Sequence, residues 1–156
     1  MMTTLPLIGN IAPLANGVRR GQLKRMSSDF SSYGCFTATL WLTSGEGFRL
    51  VPSMHNLTDG IEVGILKVEL VVQPLPDEAS VDLPWSFRNG GSISKLLIEQ
   101  SGVRAESGVL LRSGEGDEIV ILPAAFPHRL YVGGVDKAPQ QVTPEYNLSR
   151  YLQEPV

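Results

Sequence analysis

Two histidines are present in this 156-residue chain, the one side-chain type that titrates near neutral pH without help from its surroundings. Both follow the same local phrase. Leu42 to His55 runs as an apolar stretch, the segment Ser44-Gly45-Glu46-Gly47, a second apolar stretch, Pro52 and then His55. Leu111 to His128 repeats that order around Ser113-Gly114-Glu115-Gly116 and Pro123. A glycine-bearing turn between apolar runs reads as a hairpin, because glycine supplies the positive φ that tight hairpin turns need. One hairpin type used twice would carry two imidazoles to related places. There, His55 and His128 could converge with a carboxylate such as Glu62 into a site open to iron or zinc. Without metal, His128 beside Arg129 could move protons in a pocket. The competing reading places each histidine at the surface end of a strand, and that is the expectation. No catalytic residue, metal ligand or cofactor is assigned.

Other reactive groups have ordinary explanations. Glu46 and Glu115 sit in the turns, where water solvates them. Glu69 interrupts an apolar run, and pairing with Lys67 accounts for it. A single cysteine, Cys35, excludes an intrachain disulfide and a zinc ribbon; within an apolar run it is expected as a small buried hydrophobe. Gly90-Gly91-Ser92-Ile93-Ser94 falls short of a nucleophile elbow. The chain has no phosphate loop and no dinucleotide fingerprint.

Binding is better represented than catalysis. Residues 73–91 form a long loop holding Trp85, Phe87 and Arg88, and such loops are often functional. Aromatic and arginine side chains are frequent anchors of interfaces and pockets. Trp85 and Phe87 are two apart, so an extended segment would point both to one side. Trp85, Phe87, Arg88, His128 and His55 are the expected ligand contacts. The partner is an unknown small molecule or protein, with a homodimer through exposed strand edges as a further expectation. Arg19, Arg20, Lys24 and Arg25 face only Asp29 within residues 1–34. A net charge of −3 overall ranks nucleic acid below the other partners. Pro6, Gly9, Asn10 and Pro13 interrupt the mildly apolar Leu5–Leu14, so neither a signal peptide nor a membrane span is read there. A cytoplasmic setting is expected.

The elements that must position these residues are strands. Phe36, Ala38, Leu40 and Leu42 alternate with Thr37, Thr39, Trp41 and Thr43, the period of a half-buried strand. Trp41 then lies on the threonine face and needs cover. Ile61–Val72 is the longest candidate, and its change of phase at Ile65–Leu66 predicts a β-bulge. Ile93–Gln100 is ambiguous between strand and short helix. Ala105–Arg112 with Asp117–Leu122 makes the second hairpin. Residues 1–17 read as irregular, and Gly17–Met26 as a polar edge strand or short helix. Thr143-Pro144 suits the start of one short C-terminal helix. The whole of 1–156 is expected to be a single, mainly β domain, an antiparallel barrel or sandwich.

Gly116 to His128 also resembles the second motif of the cupin family, in which a strand leads from glycine to Pro-x-Gly-x-x-His, with an asparagine four residues later. Ala125 stands at the glycine position and Val132 at the asparagine. The family's first motif, with its His-x-His and glutamate, has no counterpart. The resemblance implies a small jelly-roll barrel with His128 as a ligand. It supplies the alternative function, a small cupin-like or acid–base enzyme using a barrel pocket with His128 and His55. The leading expectation remains a non-catalytic binding module that uses the Trp85–Arg88 loop near a barrel opening.

Overall fold

The computed structural model describes residues 2–31, 34–135 and 142–156. In chain order the elements are β1 (Thr3–Leu5), α1 (Ala12–Arg19), β2 (Leu23–Ser28), β3 (Ala38–Leu42), β4 (Gly47–Asn56), β5 (Glu62–Val71) and β6 (Ala79–Val81). They continue as β7 (Gly91–Gln100), β8 (Val103–Ser113), β9 (Glu118–Pro123), β10 (Leu130–Gly133) and β11 (Leu152–Pro155). One sheet runs β10-β9-β8-β7-β11, with β1 added parallel to β8; the other runs β5-β4-β3-β2-β6. The two sheets pack together without closing into a barrel. The architecture is a sandwich, so there is no barrel opening for the Trp85 loop to guard.

The main core lies between the sheets. Leu40, Leu50 and Leu66 from one sheet meet Ile93, Val109, Leu111, Ile119 and Ile121 from the other. The strand pattern of β3 holds, with Ala38, Leu40 and Leu42 facing this core. Pro52 sits inside β4 two residues beyond Leu50, where pairing with β3 ends, and its β5 partner Leu66 turns its carbonyl away to accept from Ile8 N–H. A missing N–H at Pro52 therefore breaks no ladder bond.

Both expected hairpins are present, β3–β4 and β8–β9. Their turns share one geometry: Gly45 N–H donates to Leu42 O and Leu42 N–H to Glu46 O, as Gly116 N–H does to Ser113 O and Ser113 N–H to Asp117 O. The positive-φ residue is Gly45 in the first turn and Gly116 in the second. Those are the first glycine of one Ser-Gly-Glu-Gly and the last of the other. The turn chemistry is repeated, but the phrase is displaced by two residues, which keeps the same strand faces inward. His55 consequently lies in a strand and His128 in a later turn.

Several expectations are corrected. The stretch 1–17 is not irregular: it contains β1 and most of α1. Ile11, Leu14, Ala15 and Val18 are buried against the core, an i, i+3, i+4, i+7 stripe whose first turn holds Pro13, where proline is tolerated. Instead of a C-terminal helix there is a single 3₁₀ turn, Leu148–Arg150, and Pro144 bridges Ala124 in extended backbone. β2 is interior, between β3 and β6, rather than an edge strand. Pairing of β4 with β5 is unbroken, so no bulge exists at Ile65–Leu66. The phase changes because both faces are covered. Leu66 and Val68 enter the main core, while Val63 and Ile65 enter a second cluster with Leu96, Ile98, Leu110, Leu122 and Tyr151. The register shifts fall elsewhere, at Lys24 in β2 and at Ser107 in β8. Ser107 Oγ donates to Gly64 O at 2.6 Å, tying the two sheets together.

Candidate functional site

The 73–91 segment is not a structureless loop, since it contains β6 and a 3₁₀ turn over Trp85–Asn89. With three residues per turn, side chains at i and i+3 stack one above the other. Arg88 accordingly lies over Trp85, with its Cζ 4.1 Å from the ring centroid. Phe87 takes another direction into the main core at 1 % exposure, whereas Trp85 is 71 % exposed. The expectation that both aromatics point to one side fails because the segment is helical rather than extended. Phe87 is the anchor and Trp85 the presented ring. Ser86 fixes the turn further, bonding Ser113 Oγ at 2.7 Å and Asp117 Oδ2 at 2.5 Å.

The basic segment arrives at this turn from the other side. Gly21 and Gly90, both at positive φ, let the two backbones meet; a β-carbon on Gly21 would lie 2.5 Å from Arg88 O, and one on Gly90 2.8 Å from Arg19 O. Two residues on, β2 shifts register against β3 between Leu23 and Arg25. Bulges re-aim side chains, and the extra residue here is Lys24. The result is a groove of about 290 Å³ beside Trp85. Leu23, Val81, Leu83 and Pro84 supply its apolar lining, Lys24, Arg25 and Arg88 three cations, and Asp82 one carboxylate. Arg25 stacks over Trp41 with its Cζ 4.9 Å from the ring and donates to Ser80 Oγ at 3.4 Å, so its charge is held at the rim. Sequence reasoning kept the basic cluster and the aromatic loop apart. Their meeting depends on β6 pairing with β2, a contact across more than fifty residues that no local pattern announces.

Trp41, expected to need cover, receives it from the same region. Its Nε1 donates to Ser27 Oγ at 2.8 Å. Ser27 Oγ, Thr37 Oγ1 and Thr39 Oγ1 lie 3.1, 2.9 and 3.1 Å from the Glu78 carboxylate. Leu75 N–H donates to it at 3.1 Å, and Arg49 Nε lies 3.7 Å away. The Glu78 side chain is fully buried. Its desolvation is offset by these donors, and it clamps residues 75–80 over the threonine face. Glu78 was passed over in the sequence because nothing local distinguishes it from the other acids of its loop.

The histidines occupy separate environments. His55, half-buried on β4 opposite Val63, has Ser53 Oγ 3.2 Å from Nε2. His128 is exposed at φ 59° in the turn closed by Arg129 N–H to Phe126 O. Glu62 is exposed opposite Asn56. Among the described residues, no group of three or more His, Cys, Asp or Glu side chains is arranged to hold a metal ion. Glu69 pairs with Lys67 at 2.9 Å, as expected. Burial pushes the Cys35 thiol up to about 12, against the opposing hydrogen bond from Ser28, so it stays protonated. Burial also raises Glu145 above the ordinary carboxylate value, although Gly64 N–H donates to it at 3.0 Å. A second cleft of about 410 Å³ borders the Lys95–Glu106 ion pair, 3.2 Å apart. Glu106 is already committed there, accepting from Leu7 N–H as well.

Among the described residues, no helix is long and apolar enough to cross a membrane. No protein-family model, characterised protein or solved structure matches the chain.

Proposed function

We propose that this chain is a non-catalytic binding module and that the Trp85 groove is its recognition surface. The observation that carries this reading is the exposed indole of Trp85, braced by Arg88 within a groove that gathers three cations. A large aromatic ring left in water gives up burial free energy on the order of 25 cal/mol per Å². Bracing restricts the ring before any ligand arrives, which lowers the ordering cost of binding, roughly 0.5–1.5 kcal/mol per side chain. Ser86, Phe87, Gly21 and Gly90 hold the turn that presents it.

A thermal-shift screen with small fragments (planar anions, planar cations, neutral aromatics and sugars) tests this. Fragments that raise the melting temperature of the wild type but not of Trp85→Ala are the expected result. Fragments that stabilise both proteins equally, and whose effect is lost in His55→Ala or His128→Ala, would move the site to the histidines and favour the acid–base enzyme.

Self-association is a second reading, favoured by one feature. Leu70, near the end of edge strand β5, is 64 % exposed and Val72, just after that strand, 81 %, both beyond the bridge between Ile8 and Lys67. Sedimentation velocity over a concentration series should show a dimer that Leu70→Lys disperses; a monomer at all concentrations rejects it.

A further inference from the structure

We infer that the Trp85 groove takes a nucleoside phosphate unit, with its base stacked on Trp85 and its phosphate against Lys24 and Arg25; this rests on the groove being the recognition surface. Three features converge. Trp85 and Arg88 form a flat platform, with the guanidinium on one face of the indole and the ring still 71 % exposed. Indole and guanidinium planes are the surfaces on which bases stack without regard to sequence. Lys24, Arg25 and Arg88 line the groove against a single carboxylate, Asp82, in a chain of net charge −3. This positive field is local, and among the described residues no carboxylate forms an ion pair with these three cations.

The third feature is scale. About 290 Å³ lies at the lower end of small-molecule sites, room for one base with its sugar and phosphate rather than for a folded partner. Asp82 is placed to accept from sugar hydroxyls or base amino groups, the donors such a unit carries besides its anion. An acidic peptide would satisfy the cations but leave the aromatic platform unused. The stacking platform decides between the two.

The unit could be a free nucleotide or one residue of a single strand, and a titration separates these sources. Fluorescence suits it, because of the two tryptophans Trp85 is 71 % and Trp41 3 % exposed, so quenching on binding reports Trp85. Adenosine 5′-monophosphate, a short oligodeoxyadenylate and poly-glutamate are titrated into the full chain. Anisotropy of a labelled oligonucleotide serves for variants that lack the reporter ring. Saturable quenching by both nucleotide probes supports a site for a free nucleotide. Saturation by the oligonucleotide alone supports a site within a strand, with a log–log salt slope of about −0.7 per phosphate contact. In either case Trp85→Ala should weaken binding about 5- to 150-fold, Trp85→Phe should retain most of it, and Lys24→Gln should make the salt slope shallower.

Poly-glutamate binding as tightly as the oligonucleotide, with Trp85→Ala unaffected, would overturn the inference in favour of a charge patch for acidic chains. No response to either nucleotide probe would overturn it as well. If the fragment screen still finds compounds whose effect requires Trp85, the groove survives with a different ligand; if it finds none, the reading beneath has failed too.

Discussion

At the residue scale, the side chains that decide behaviour are those whose surroundings override their type. Cys35 looks like a nucleophile by chemistry and is a core methyl-sized group by environment, since burial holds its thiol protonated. Native protein should therefore fail to react with a thiol-directed disulfide reagent and react fully once unfolded; fast native labelling would contradict its burial. Glu145 offers a signed pH test. Its carboxyl is raised by burial in the folded state, so above the ordinary carboxylate value the unfolded chain ionises first and binds fewer protons. Stability must then fall as pH rises through the window between the ordinary and the raised value. Glu145→Gln can still accept from Gly64 N–H and should remove that slope without weakening the protein at neutral pH, as read by urea melts across pH. Trp85, in contrast, contributes little to stability. Trp85→Ala should change the unfolding free energy by less than about 0.5 kcal/mol, which makes it a clean probe of binding.

At the scale of elements, the strap over the threonine face and the Gly21–Gly90 contact are the devices that build the groove. Glu78→Ala would strand three hydroxyls and an amide beneath residues 75–80. The expected cost is about 3 kcal/mol, together with a red shift of Trp41 emission as its cover loosens; an unchanged spectrum would contradict the clamp. Gly21→Ala meets both a positive φ and the Arg88 carbonyl, so it should disturb the Trp85 turn and impair binding more than Trp85→Phe does. Element legibility followed the strength of local pattern. The alternation in β3 and both hairpin turns were readable, because period-two burial and glycine turns are local signals. Helix α1 was obscured by Pro13, Asn16 and Gly17, although its buried stripe at Ile11, Leu14, Ala15 and Val18 is written in the sequence. The apparent bulge in β5 was a misreading of a strand covered on both faces, something visible only once the second cluster is assembled. Trp85 and Arg88 could be chosen by residue type, yet their stacking required a 3₁₀ turn that proline-rich sequence suggested as extended chain.

At the scale of the whole molecule, β5 joins the two halves of the interior, with Leu66 and Val68 in one cluster and Val63 and Ile65 in the other. That continuity predicts one cooperative urea transition, seen at the same midpoint by circular dichroism and tryptophan emission. Leu66→Ala should lower stability by about 2–5 kcal/mol. Charge also has to be judged at this scale. The acidic balance of the chain argued against anionic partners, but folding separates the charges and collects Lys24, Arg25 and Arg88 along one groove beside Trp85. The most direct test of this account is a heteronuclear NMR titration with adenosine 5′-monophosphate, following the two indole N–H signals and the backbone amides. The Trp85 indole and the amides of Lys24, Arg25, Asp82 and Arg88 should move together and saturate while the Trp41 indole stays fixed. Shifts gathered instead around His55 or His128, with Trp85 unmoved, would contradict it.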